Sequence, residues 1–267
     1  MKSLFAVLVM LFSVFSTSSV MAKDGFPGRA EYPEIPVYSK EDLAKDFNNV
    51  VIVDARSSLE FDTLRIKGAL NIPVASKDFG QRVKALRQQD KRKIVFYCNG
   101  RTCYKSYQAA KKAMLKGVKN VYAYDAGMFE WAEAYPQHAE LLGHSPIDPK
   151  QIISRSTFKQ RILDPKTFTE TVRSKPRTET LVMDVRDMYQ RAGVGFFPGM
   201  EKWVSLDDRQ KLARYLKKAK DQNRTLYIYD EAGKQVRWLQ YTLERENIKD
   251  YYFMREGAHG FTQTFIN

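Results

Sequence analysis

Cysteine and histidine are scarce in this sequence of 267 residues, which holds two cysteines and three histidines. The histidines form no ligand pattern with the cysteines, so the sequence predicts neither a metal site nor a bound cofactor. Cys98 and Cys103 are separated by only four residues. A disulfide between them would restrict the unfolded chain little. We therefore interpret Cys98 and Cys103 primarily as reactive thiols and only secondarily as a structural disulfide.

Acidic residues are outnumbered by basic ones, and the formal net charge is +13. No zinc, RNP or recognition-helix signature accompanies that charge, so no nucleic-acid partner is predicted. Long apolar runs are also lacking, except for residues 4–15 behind Lys2. That run and the following Val20-Met-Ala22 indicate a signal peptide over residues 1–22. We expect an exported protein, periplasmic in a Gram-negative organism, with no stable membrane span after signal removal.

The remaining chain repeats itself. Asp54-Ala-Arg56 and Asp184-Val-Arg186 both follow apolar runs and lie 130 residues apart. Three further pairs of segments recur in the same order at offsets of 130 to 132 residues. Four ordered matches at nearly one spacing indicate a duplication. The predicted division is a first domain over residues 32–140, a linker over 141–156 and a second domain over 157–267.

Each half alternates short apolar strands with amphipathic helices. The runs 50–53, 94–97 and 226–229 are nearly continuous in apolar residues. Such runs are typical of parallel strands that helices cover on both faces. The predicted fold class is therefore α/β, with two similar domains, each a mostly parallel sheet flanked by helices on both faces.

The stretch from Lys93 to Ser106 carries the candidate chemistry. An apolar strand ends at Cys98, a tight loop follows, and then a helix opens. Backbone N–H groups and the helix dipole favour an anion at such a place, which lowers the pKa of a thiol. Cys98 is thus predicted to be an activated nucleophile. The loop residues expected to surround it are Asn99, Gly100, Arg101, Thr102, Cys103 and Tyr104.

Several landmarks, in order, make this chain resemble the tandem rhodaneses, a family of sulfurtransferases. They are Asp54-Ala-Arg56, Glu60-Phe61, Gly68-Ala-Leu-Asn-Ile-Pro73, the loop after Cys98 and Ala126-Gly127-Met-Phe-Glu-Trp131. The resemblance implies that Cys98 takes a sulfane sulfur from thiosulfate or a similar anionic donor. It then holds a persulfide and passes the sulfur to a thiophilic acceptor, an unknown thiol or protein. No cofactor is implied.

The loop residues suit that role. Backbone N–H groups between Asn99 and Tyr104 can cradle a persulfide anion, and Gly100 allows a tight turn. Arg101 and Lys105 add positive charge that would attract an anionic donor. Asp54 and Arg56, at a strand end, are expected to support the loop structurally rather than to act on the substrate.

Cys103 leaves alternatives open. It could be a resolving thiol that attacks a Cys98 persulfide and releases sulfide, or a residue that supplies only its backbone N–H. A thiol–disulfide protein that cycles Cys98 and Cys103 is one alternative function. A phosphatase or arsenate reductase would need an arginine where Tyr104 stands, so this class is disfavoured.

The second half has Asp230 where the first has Cys98. It lacks a thiol and cannot form a persulfide, so we expect it to be a degenerate domain that forms one wall of the active-site cleft. Asp230 and Glu231 with no histidine partner are a weak metal signal. A non-enzymatic binding module remains a further alternative for the protein.

Overall fold

A computed structural model of the protein describes residues 25–191 and 195–266. The predicted signal peptide, residues 1–22, lies outside the described residues. Among the described helices, none is long and apolar enough to cross a membrane.

The first half contains seven strands and six α-helices within residues 25–148. In chain order they are α1 (Pro27–Glu31), β1 (Val37–Tyr38), α2 (Lys40–Lys45), β2 (Val50–Asp54), α3 (Ser58–Thr63), β3 (Leu64–Ile66), β4 (Leu70–Asn71), α4 (Phe79–Gln89), β5 (Lys93–Tyr97), α5 (Lys105–Leu115), β6 (Val121–Tyr124), α6 (Gly127–Ala134) and β7 (Ala139–Leu141). A 3₁₀ turn, Pro136–His138, precedes β7.

The second half follows a 3₁₀ turn at Pro149–Gln151. Its described elements are α7 (Arg155–Lys159), β8 (Ile162–Leu163), α8 (Pro165–Ser174), β9 (Thr180–Asp184), α9 (Met188–Arg191), β10 (Glu201–Trp203), α10 (Arg209–Asp221), β11 (Thr225–Tyr229), α11 (Val236–Arg245), β12 (Tyr251–Met254) and α12 (Gly257–Phe265). The predicted linker, residues 141–156, therefore includes the 3₁₀ turn and the start of α7.

Two five-stranded parallel sheets confirm the predicted α/β class. The first has the order β1-β6-β5-β2-β4 and the second the order β10-β9-β11-β12-β8. All pairs within these sheets are parallel. The two sheets have the same strand order when one is read from the opposite edge and strands at offsets of 125 to 132 residues are matched. A separate antiparallel pair joins β3 to β7.

Helices cover both faces of each sheet because side chains alternate along its strands. In β2, Val50 and Ile52 belong to one hydrophobic cluster, whereas Val51 and Val53 belong to another. The cluster around Val50 and Ile52 also contains Leu181 and Met183 of β9. One face of each sheet thus contributes to a shared core, which packs the two halves together.

Side-chain caps start several of the helices. The Ser39 hydroxyl accepts a hydrogen bond from the backbone N–H of Asp42 at the start of α2. Asp164 caps α8 in the same way, by accepting from the N–H of Thr167. Ser57 and Glu60 form a reciprocal capping box at α3. These bonds satisfy N–H groups that a helix start leaves unpaired.

Candidate active site

The cysteine loop connects β5 to α5 at the carboxyl edge of the first sheet. Cys98 is fully buried, and its thiol donates to the backbone oxygen of Cys103 across 2.9 Å. Its sulfur also lies 3.7 Å from the Ser106 hydroxyl. A turn bond of 2.8 Å, from the Cys103 N–H to the Gly100 oxygen, folds the loop back. Both cysteines are free thiols.

The thiol with a lowered pKa is Cys103, not Cys98. Burial raises the pKa of Cys98 well above its usual value, and a hydrogen bond with Cys103 raises it further. The same hydrogen bond from Cys98 lowers the pKa of Cys103 to about 6, despite partial burial. Backbone N–H groups of Asn99 and Lys105 also stabilise the Cys103 thiolate. Burial thus opposes the ionisation of Cys98 that the sequence led us to expect, whereas the N–H groups of Asn99 and Lys105 favour the Cys103 thiolate.

Arg56 and Asp54 form a buried pair under the loop. Both side chains are 0% exposed, and the guanidinium lies 2.6 Å from the carboxylate. Arg56 also donates to the Asn99 side-chain oxygen at 2.9 Å and to the Leu64 backbone oxygen at 2.6 Å. The pair therefore ties the strand end directly to the first loop residue after Cys98, at the place where the sequence predicts loop support.

Glu60 is a site residue that sequence reasoning used only as a landmark. It accepts from the Asn99 side-chain amide at 2.7 Å and lies 3.5 Å from the Lys105 amine. Burial by itself raises the pKa of Glu60, but Arg56, Lys105 and these hydrogen bonds lower it to about 2. Its spacing of three residues from Ser57, the capping-box pattern, is the signal that could have identified it.

Gly127 lets α6 start directly against the loop. Its φ is +80°, and a Cβ there would lie 2.2 Å from the Gly100 nitrogen. The neighbouring Met128 N–H donates to the Cys98 oxygen at 2.9 Å. Only glycine fits this close approach of two backbones in a left-handed conformation.

The cations of the loop are already paired with carboxylates. Arg101 makes two hydrogen bonds to Glu130, at 2.5 and 3.0 Å. Lys105 lies beside Glu60. Acidic residues of α3 and α6 thus offset the positive charge that Arg101 and Lys105 were expected to offer an anionic donor.

A cavity of about 800 Å³ opens above the loop, between the two halves. Cys103 lines this cavity and Cys98 does not. The opposite wall comes from the second half, chiefly from α7 and the start of α11. Its side chains include Arg155, Phe158, Lys234, Gln235, Arg237 and Trp238.

The loop of the second half holds a carboxylate where the first holds a thiol. Asp230 is buried and accepts from the backbone N–H groups of Gly233, Gln235 and Val236. Burial raises its pKa, and these N–H groups oppose that rise. The loop cradle is thus filled by the chain's own side chain. Beneath it, Arg186 pairs with Asp184 at 2.8 Å, as Arg56 does with Asp54.

Comparison with known proteins bears on the first half. Residues 39–134 match the family described as rhodanese-like domain. No curated protein matches the chain. The matched segment contains Asp54, Arg56 and the whole cysteine loop.

Solved structures are similar to the chain at low identity. Thiosulfate sulfurtransferase from Pseudomonas aeruginosa is 18% identical, with 89% of this chain and 46% of that chain covered and a TM-score of 0.34. An As-Sb reductase from Leishmania major is 18% identical, with 40% and 86% covered and a TM-score of 0.36. A rhodanese-related protein from Thermoplasma volcanium is 20% identical, with 38% and 93% covered and a TM-score of 0.33.

Proposed function

Because residues 39–134 form a rhodanese-like domain, we propose that the protein is a sulfurtransferase that carries sulfane sulfur as a persulfide on Cys98. The donor is thiosulfate or a similar anion, and the acceptor is a thiophilic thiol or protein. The observation that carries the proposal is the placement of both thiols in one loop of this domain, where the Cys98 thiol donates to the Cys103 backbone oxygen and Cys103 lines the cavity.

Cys103 serves as the base in this reaction. The Cys98 sulfur gives its proton to the Cys103 thiolate as it bonds to the outer sulfur of thiosulfate. The S–S bond of thiosulfate breaks, and sulfite leaves with the electron pair. A nucleophilic acceptor then attacks the outer sulfur of the persulfide, and Cys98 recovers its proton. Burial protects Cys98 from other electrophiles in the resting loop.

The same contact supports a second candidate function, thiol–disulfide exchange. A Cys103 thiolate can attack the inner sulfur of a Cys98 persulfide, forming a disulfide and releasing hydrosulfide. A dithiol reductant must then regenerate both thiols. In an oxidising compartment this step would switch sulfur transfer off until the disulfide is reduced.

Intact mass and cyanolysis test the proposal together. The reduced protein, incubated with thiosulfate, should gain one sulfur on Cys98, and cyanide should release it as thiocyanate. Cys98→Ser should abolish both signals, and Cys103→Ser should slow loading because the base is lost. If Cys98→Ser makes thiocyanate as fast as the unsubstituted protein, sulfur transfer through Cys98 is refuted.

The second candidate has a distinct signature. A positive insulin-reduction assay with negative cyanolysis would establish thiol–disulfide exchange in place of sulfur transfer. Undiminished turnover and unchanged sensitivity to oxidation in Cys103→Ser would remove both the basic and the resolving role of that thiol.

We further propose a tandem arrangement of one active and one degenerate domain in an exported protein. The equal strand orders and the repeated Asp–Arg pairs support the first part. The apolar run behind Lys2 supports the second. N-terminal sequencing of the protein from the periplasmic fraction of a Gram-negative host should begin at Lys23, whereas an intact N-terminus in the cytosol would contradict export.

A further inference from the structure

The cations around the active-site cavity fall into two groups. Those of the loop, Arg101 and Lys105, are neutralised by acidic neighbours. Those of the second half, Arg155, Lys234 and Arg237, have no carboxylate within salt-bridge distance among residues 25–191 and 195–266. The uncompensated positive charge of the cavity thus comes entirely from the half that lacks a cysteine.

Arg237 is the most constrained of these cations. It lies half-buried near the start of α11, with its guanidinium 4.4 Å from the centre of the Phe129 ring. Its Nε is buried without a hydrogen-bond partner. Desolvation lowers the pKa of Arg237, Tyr241 offsets part of that effect, and the nearby Arg155 lowers the pKa again. A buried Nε–H without a hydrogen-bond partner is unfavourable, and a bound anion that accepts from it would relieve that cost.

The size and lining of the cavity indicate an organic ligand. Its volume of about 800 Å³ is in the range for ligands much larger than thiosulfate, which has five heavy atoms. Phe129, Phe158 and Trp238 supply apolar wall to the cavity. Trp238 stacks on Phe129 across the two halves, at 5.4 Å between ring centres. A ligand that contacts both Cys103 and the second-half cations therefore meets apolar as well as charged side chains.

We propose that Arg155, Lys234 and Arg237 form a subsite for the carboxylates of a peptide-sized thiol, which exchanges sulfur with the cysteine loop. This inference rests on the proposed sulfur transfer and names its organic partner. As acceptor, the thiolate attacks the outer sulfur of the Cys98 persulfide. The persulfide bond breaks with its electron pair on Cys98, which takes a proton, and the partner leaves as a persulfide. As donor, the partner's persulfide follows the same step in reverse.

The kinetic test compares an anionic with an uncharged thiol. Glutathione and 2-mercaptoethanol are offered as acceptors after loading with thiosulfate, and glutathione persulfide is offered as donor with cyanide as acceptor. In Arg237→Gln the ratio of kcat/KM for glutathione to that for 2-mercaptoethanol should fall about tenfold, the usual scale for losing one charge-assisted contact. Arg237→Lys should restore part of the ratio, because it keeps the charge.

Arg173 provides the matched control, since it is an exposed arginine of the same half outside the cavity. Arg173→Gln should leave the ratio unchanged. If Arg237→Gln changes neither this ratio nor kcat/KM for glutathione persulfide, in an enzyme that still transfers sulfur, the subsite alone is overturned. If only the ratio of kcat/KM for glutathione to that for 2-mercaptoethanol falls, the partner is a thiol acceptor. If only kcat/KM for glutathione persulfide falls, the partner is a persulfide donor.

A binding measurement keeps the inference testable without turnover. S-methylglutathione, which cannot react, is titrated into Cys98→Ser by calorimetry, with and without Arg237→Gln. The Kd should weaken about tenfold in the double variant and rise with salt in the parent. No difference in Kd between the two proteins would refute the subsite whatever the outcome of the sulfur-transfer assays.

Discussion

The ionisation of Cys103 gives the sharpest prediction about this loop. With a pKa of about 6, Cys103 is roughly nine-tenths thiolate at pH 7, whereas an ordinary cysteine of pKa about 8.5 is about 3% thiolate. That is roughly a thirtyfold advantage in reactive form, reduced somewhat because a less basic sulfur is a weaker nucleophile. Iodoacetamide should therefore label Cys103 first at neutral pH, and the labelling rate should fall as the pH drops through about 6.

The loop partner of Cys103 provides the control. The hydrogen bond from the Cys98 thiol is the largest cause of the lowered pKa. Cys98→Ala removes that donor and should move the inflection to higher pH, while Cys98→Ser retains an O–H donor and should move it less. Rates are measured from pH 4 to 9 and the labelled peptide is identified by mass spectrometry.

Two results would refute this reasoning. An inflection above pH 8 in the unsubstituted protein would mean that the loop N–H groups do not stabilise the Cys103 thiolate. Labelling of Cys98 before Cys103 would mean that the burial of the first thiol does not protect it. Either result would remove Cys103 as the base of the proposed reaction.

Three further predictions concern the support of the loop. Gly127→Ala places a Cβ 2.2 Å from a loop nitrogen and should lower the free energy of unfolding by about 3 kcal/mol. The control Gly117→Ala has a similar φ of +79° but open space around the Cβ, and should cost about 1 kcal/mol in the same thermal denaturation. Equal costs for the two variants would contradict the close approach. Arg56→Gln leaves the Asp54 carboxylate buried without its partner and should cost about 3–5 kcal/mol in urea unfolding, so a loss below 1 kcal/mol would show that the pair is dispensable. Glu60 has a folded pKa of about 2 against its usual 4.5, so its ionisation should add about 3 kcal/mol to the free energy of unfolding. That stability is fully present above about pH 5 and is lost as the pH falls towards 2. Glu60→Gln should flatten this part of the stability–pH profile, and an unaltered profile would exclude the contribution of Glu60.

Much of the architecture was predictable because it depends on local patterns. The nearly continuous apolar runs that become β2, β5 and β11 required helices on both faces of a parallel sheet, and both sheets have them. Ser39 and Asp164 could be recognised as helix caps because a cap involves residues only three positions apart. The placement of two cysteines between a strand and a helix was equally a local property.

The charge state of the site was decided by tertiary packing. Whether Cys98 or Cys103 ionises more readily depends on which sulfur is buried and which meets the loop N–H groups, and neither can be read from the spacing of the two cysteines. Arg101 is neutralised by Glu130, which lies 29 residues further along the chain.

The sequence by itself determined the alternation of strands and helices, the repeat and the position of the thiols, because these depend on side-chain periodicity and short spacing. The tertiary structure alone decided which thiol is the anion and which cations are left unpaired in the cavity, Arg237 among them. Burial and Coulomb interactions depend on distance in space, and the fold brings together residues that are far apart in the chain.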